Sequence, residues 1–183
     1  MLVNHHKEKL INAMIYFVNN TKYCGKIKLF KLLYFLDFDH FSETGRSVTG
    51  LDYYAWKMGP YPKALAEEID HPTDEMKKSI AFSKISTKKG KMLKPNVLRP
   101  FNPNHFTKRE YRLLQRLALE YQDAQAEDMI EATHLENKPW HQIYEVQKRR
   151  LALIPYEYAL KRQEKAEMLV QIQEANEFWE SYQ

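Results

Sequence analysis

In the stretch 28-KLFKLLYFLDFDHF-41 almost every position is apolar, yet Asp37 lies inside it. On a helical wheel of about 100° per residue, Leu33 and His40 flank Asp37 on one side and Phe30 and Phe41 on the other. Lys28, Lys31, Asp39 and Ser42 gather on the opposite arc. A carboxylate on the greasy side of a helix suits two chemistries. Burial could shift its pKa and make it a general acid or base. It could instead brace the core by accepting hydrogen bonds, because an unpaired buried carboxylate is strongly disfavoured. Arg46, Tyr53, Tyr54, Trp56 and Lys57 are near enough in sequence to supply a donor. Catalysis would require a nucleophile or a second carboxylate beside it, and none can be assigned. Bracing is therefore the expectation, with recognition of a partner as a third reading.

The other reactive side chains point less far. His134 and His141 are seven positions apart and share a face only if one helix spans both, which Pro139 opposes. No HExxH spacing and no cysteine pair accompanies them. Cys24, the one cysteine, has Lys22 and Lys26 nearby but no histidine that can be placed as its base. There is no GxGxxG, P-loop or GxSxG motif. No catalytic residue, metal or cofactor is expected.

These residues must be carried by elements that the spacing predicts. His5 to Asn19 reads as a first helix, and the lysine-led second helix runs to about Glu43, with Gly45 ending it. The second helix is apolar around most of its circumference, which marks it as central. Leu51 to Met58 reads as a strand with Tyr54, Trp56 and Met58 on one face, closed by Gly59-Pro60. Pro62 then opens a short helix to Ile69. From Met76 to Arg109 there is no acid, and two short alternating runs flank Lys88-Lys89-Gly90, predicting a lysine-rich hairpin. Thr107 with Glu110 forms a capping-box pattern before a further helix. Short helices follow over 126–135 and from Pro139 to Ile143. After Ile154-Pro155-Tyr156 the segment 159–182 reads as a long amphipathic helix.

The totals suit this arrangement. The chain has 183 residues, is 44% hydrophobic and 28% charged, and has only 5 glycines and 8 prolines, which argues against a loop-rich all-β design. The longest clean apolar run near the N-terminus, Ala13 to Val18, is far too short to span a bilayer. No secretory leader is visible and a single cysteine makes no internal disulfide, so a cytoplasmic location is expected. The net charge of +4 says little, but the basic stretch 77–109 says more. Its lysines could protect a sheet edge, steer an acidic protein surface, or contact nucleic acid. Lysines without arginine forks or interleaved aromatics make the last the weakest of the three.

The sequence of pieces 28-KLFKLLYFLDFDHF-41, Gly45, 50-GLDYYAWKMGPYP-62, 133-THLENKPW-140 and 154-IPYEYA-159 resembles the Panacea domain, the family of SocA-like antitoxins and phage-associated proteins. The resemblance covers about residues 5–160, with Tyr61 standing where a small apolar residue is more usual. It implies a bacterial or prophage protein that binds a toxin encoded beside it and neutralises it by contact. It also implies, for some members, an adaptor role that hands the toxin to a cytoplasmic AAA+ protease. Lys28, Asp37, Gly45, Gly59, Pro60, His134 and Trp140 are then the residues of the structural motif. Candidate partner contacts are Lys31, Tyr54, Trp56, Lys57, Tyr61, Trp179 and Tyr182.

The expected fold is α+β: a mainly helical core, a small antiparallel sheet, a domain over 1–158 and a C-terminal amphipathic helix over 159–183 docked on it or extending it. The expected function is binding, not catalysis. A phage-associated DNA-binding regulator and a hydrolase or transferase using Asp37 or His134 are the alternatives.

Overall fold

The computed structural model describes residues 2–87, 90–136, 138–160 and 172. Its elements are α1 (Leu2–Asn20), α2 (Lys26–Thr44), β1 (Tyr54–Trp56), β2 (Gly59–Tyr61), α3 (Lys63–Asp70), α4 (Asp74–Ser79), β3 (Ile80–Thr87), β4 (Gly90–Val97), α5 (Lys108–Glu120), α6 (Ala126–His134) and α7 (Pro139–His141). A π turn, Gln142–Val146, prolongs α7, and 3-10 turns cover Pro103–His105 and Tyr156–Ala159. This is an α+β fold, mainly helical, with two small antiparallel sheets.

α2 is the axis of the molecule. Every residue from Lys28 to Phe38 is buried. A helix apolar on all sides must be covered on all sides, and α1, α5, α6, β2, β4 and the turn at 156–159 pack around it. It stops at Gly45, whose φ of +70° lets the amide turn back to the Phe41 carbonyl. α5 starts with a complete capping box: Glu110 N donates to Thr107 Oγ1 at 3.2 Å and Thr107 N donates to Glu110 Oε2 at 2.7 Å. Glu110 also holds Lys9 at 2.6 Å, which ties α5 to α1.

Two expectations need correction. The wheel put Lys28 and Lys31 on a polar arc; both are buried, because neighbouring loops close over that arc as well. The strand over 51–58 is shorter, and Gly59-Pro60 does not end it but belongs to its partner. β1 and β2 pair in the register Tyr54↔Tyr61, Ala55↔Pro60, Trp56↔Gly59. On the other side of β1, Ala55 N donates to Ala152 O, Leu151 N to Ala55 O and Ile154 N to Tyr53 O, each at 2.8 Å. Ala55 therefore spends both backbone groups on the 151–154 segment. Pro60, opposite it, needs no N–H for the ladder, which is how a proline sits inside this small sheet. The segment 159–182, read as a long helix, lies outside the described residues except at its start and at Ile172.

Candidate partner-binding surface and the helix behind it

Asp37, Lys31 and Lys28 of α2 are buried, and each grips a different piece of chain. Asp37 Oδ1 accepts from Val48 N at 2.8 Å and Thr49 N at 2.7 Å. Its Oδ2 accepts from Thr49 Oγ1 at 2.5 Å and Tyr53 Oη at 2.8 Å. Burial raises the Asp37 pKa, and these four donors offset only part of that rise. Burial, followed by the nearby carboxylate, raises Tyr53, so its hydroxyl stays protonated and donates. Of the donors considered from sequence, Tyr53 holds Asp37, while Arg46, Tyr54, Trp56 and Lys57 are absent from its hydrogen bonds. The two amides were not foreseeable as individual donors. Asp37 is 0% exposed, so no substrate reaches it here.

Lys31 lies on another face of α2 and donates to the Pro60 carbonyl at 2.7 Å. That carbonyl points away from the β1–β2 ladder for the reason that tolerates the proline. Gly59, at φ +93°, leaves the room: a Cβ there would lie 2.7 Å from Thr133 Oγ1 and 3.0 Å from Lys31 Nζ. Lys28, at the start of α2, donates to the carbonyls of Lys22, Tyr121 and Ala124 at 2.8, 2.6 and 2.7 Å, with Gln122 O at 3.3 Å. The α2 charges thus fix the loop after α2, the β hairpin and the loop after α5.

Burial alone lowers the Lys31 pKa to about 7. In the unfolded chain it returns to its ordinary value near 10.4. Between these values the unfolded chain binds the extra proton, so this group makes stability rise with pH. From pH 7 to 9 the gain is about 2 kcal/mol. Lys31→Met should lose this slope, which urea unfolding of both proteins at pH 7, 8 and 9 measures directly. Parallel stability profiles for the two would show that Lys31 titrates normally.

The hairpin turns its other side outward. Tyr53 and Ala55 point inward at 1% and 0% exposure, while Trp56 is 40% exposed and Met58 51%. Trp56 and Tyr61 stack at 4.2 Å between ring centroids and 22° between planes. Tyr61 also meets the edge of Phe30 of α2 at 5.7 Å. Tyr54 pairs with Leu153, which is 44% exposed, and Lys57 stands exposed at the hairpin tip. Tyr54, Trp56, Lys57 and Tyr61 therefore fall on one small hairpin, joined by Met58, which alternation had put on the face of Tyr54 and Trp56, and by Leu153, which sequence reasoning did not single out. Lys31 sits beneath this surface rather than on it. Trp179 and Tyr182 lie outside the described residues.

Beside the hairpin, His134 stacks on Trp140 at 3.7 Å and 7°, and Trp140 stacks on Tyr144 at 4.6 Å and 15°. Trp140 Nε1 donates to the Trp56 carbonyl at 2.9 Å, which clamps the edge of β1. Burial first, then Lys31, lowers the His134 pKa. His134 and His141 belong to two different helices, α6 and α7. Among the described residues no group of three His, Cys, Asp or Glu side chains could hold a metal ion. Cys24 is buried, and burial raises its thiol pKa. Lys84, Lys91 and Lys94 are exposed on the β3–β4 hairpin. No helix among the described residues is long and apolar enough to cross a membrane.

A family model described as antitoxin SocA-like, Panacea domain, matches residues 29–141, well over half of the chain. It covers α2 beyond Lys28, both hairpins, α5 and α6, and ends in α7. No curated protein and no solved structure matches the chain.

Proposed function

This chain belongs to the SocA-like antitoxin family, that of the Panacea domain, and from that premise we propose that it neutralises a cognate toxin protein by direct contact through the outer face of the β1–β2 hairpin. The observation that carries this reading is the Trp56–Tyr61 stack, an exposed tryptophan ring lying at 4.2 Å on a half-buried tyrosine ring whose support is braced. Tryptophan and tyrosine are the side chains that most often dominate an interface. Here they lose little freedom on binding: Tyr61 is wedged against Phe30, and the Trp56 carbonyl is bonded to Trp140. Tyr54, Met58 and Leu153 extend the apolar area, and Lys57 supplies a charged rim. An adaptor role, in which the bound toxin passes to a cytoplasmic AAA+ protease, extends the same reading. It is checked by the toxin's half-life in cells with and without the protease.

The test of the contact is co-expression with the product of the neighbouring reading frame. That product should be lethal alone and harmless with this chain. Trp56→Ala should weaken binding by at least about 2 kcal/mol, roughly 30-fold, and lose the rescue. Trp56 is 40% exposed and its bond to Trp140 is made by the main chain, so its replacement should cost the fold only about 1 kcal/mol, the loss of the stack on Tyr61. A neighbour that is harmless alone, or lethal in both cases, defeats the antitoxin reading. Full rescue by Trp56→Ala defeats only the choice of surface.

A further inference from the structure

β3 and β4 pair without a bulge from Ile80↔Val97 to Thr87↔Gly90. A two-stranded sheet has two outer edges, and here they differ. β4 packs against α1 and α2. Its edge carries the buried Pro95, which has no N–H, and the Leu93 carbonyl, 3.6 Å from where a Cβ on Gly25 would stand. β3 packs chiefly against β4 and α4. Its outward groups follow from the alternation of hydrogen-bonded and non-bonded pairs along an antiparallel ladder. Leu98 N donates to Ser79 O at 2.9 Å, and Ile80 N donates to Met76 O of α4 instead of to β4. Phe82, Lys84 and Ser86 are in step with Ile80, so their N–H and C=O groups also turn away from β4. Among the described residues the backbone of these three makes no bond outside the ladder. From Met76 to Arg109 there is no acid, and Lys78, Lys84, Lys91 and Lys94 are exposed with no ion pair among the described residues.

We propose that the outer edge of β3 docks an extended, acidic segment of a partner protein, which joins the sheet as a third strand. The main-chain groups of Phe82, Lys84 and Ser86 supply the bonds, as in other cases of strand addition. Neither a proline nor a bulge blunts this edge, so it keeps its capacity to pair. The lysines supply the selection. Two copies of this chain meeting edge to edge would bring like charges together, and repulsion rejects that pairing. A strand with glutamate or aspartate at alternate positions turns the same lysines into cross-strand ion pairs. A nucleic acid would meet the lysines but has no peptide strand to add, so it would leave the edge amides unbonded. The β3 edge is a surface separate from the outer face of β1–β2, and its use does not require a toxin to sit there.

Fluorescence anisotropy of the full-length protein with a short labelled peptide of alternating valine and glutamate tests it. That peptide should bind, and its counterpart with lysine for glutamate should not. Ser86→Pro removes one outward N–H while keeping the ladder and every charge, as Pro95 does on β4, and should weaken binding about tenfold. Lys84→Glu should weaken it as well. Amide exchange gives a readout on the unaltered protein. Without peptide, the amides of Phe82, Lys84 and Ser86 should exchange faster than those of Ala81, Ser83 and Ile85, and the peptide should slow the first set. Trp56→Ala should leave peptide binding unchanged, so the edge and the β1–β2 surface fail separately. No binding of the glutamate peptide, or equal binding by Ser86→Pro, overturns the proposal. So does a short thymidine oligonucleotide that binds more tightly than the peptide without slowing those three amides, which would assign the lysines to nucleic acid. A dimer of the free protein that Ser86→Pro dissolves overturns it too, and would assign the edge to a second copy.

Discussion

Replacing Asp37 by alanine should cost about 3–5 kcal/mol of stability, because it strands buried donors rather than merely deleting an acceptor. Val48 N and Thr49 N cannot turn elsewhere, and both end 2.8 Å or less from an oxygen that would be gone. Thr49 Oγ1 and Tyr53 Oη lose their acceptor too. For a chain of this length that loss lowers the thermal midpoint by about 10 °C. Asp37→Asn separates the contributions. The amide oxygen can still accept from both backbone amides, and the two hydroxyls can rotate to accept from its NH2, so the cost should fall to about 1–2 kcal/mol. Asp37→Leu, which fills similar space without an oxygen, should resemble alanine and so exclude a simple cavity as the cause. The ordering Asn milder than Leu and Ala is the signature of a latch. A catalytic carboxylate would behave otherwise: neutralising it to asparagine would leave a fully stable protein with a lost activity. An alanine variant that melts within about 2 °C of the parent would refute the latch.

That Asp37 would be bonded across the core was readable from one residue, since an acid on the apolar side of a helix has few other fates. That Lys28 and Lys31 would be buried was not. A helical wheel knows only the helix, and most acceptors of these two ammonium groups are main-chain carbonyls distant in sequence, at Tyr121, Ala124 and Pro60. Any residue type can offer a carbonyl, so the sequence carries no mark of it. The clue present was negative: α2 is too apolar all round to expose any arc, and lysines inside such a helix must find partners. A similar limit applies to β2. Gly59-Pro60 is a reliable turn signal in isolation, and it became a strand residue pair only because residues 151–154, far along the chain, take up the backbone groups of Ala55. By contrast the capping box at Thr107, the cap at Gly45 and the β3–β4 hairpin depend on neighbours in sequence, and the structure shows them where the spacing put them. The candidate surface divides in the same way. Alternation along β1 predicted that Tyr54 and Trp56 share a face, whereas Leu153 joins them through long-range pairing alone.

Lys28 is the second position where a single change should be severe. Its ammonium group replaces water for two loops at once: Lys22 O belongs to the connection between α1 and α2, and the Tyr121, Gln122 and Ala124 carbonyls to that between α5 and α6. The Tyr121 carbonyl lies at the C-terminal end of α5, where the helix dipole favours a cation. Burial lowers the Lys28 pKa, and its remaining surroundings oppose that shift. Lys28→Met keeps the stem and removes the donors. The variant is spared the desolvation of a charge but leaves converging carbonyls unpaired, and the net cost should be about 2–4 kcal/mol. Arginine should not rescue it. An ammonium group sends its three donors along tetrahedral directions into converging carbonyls, whereas a guanidinium is planar, wider and built for parallel acceptors. Hydrogen exchange locates the damage: the Lys22 amide, bonded to Gln122 O at 2.8 Å, should lose protection first in Lys28→Met, ahead of the amides of α2. Wild-type protection at Lys22 in that variant, together with an unchanged unfolding midpoint, would mean that the two loops hold each other without the lysine.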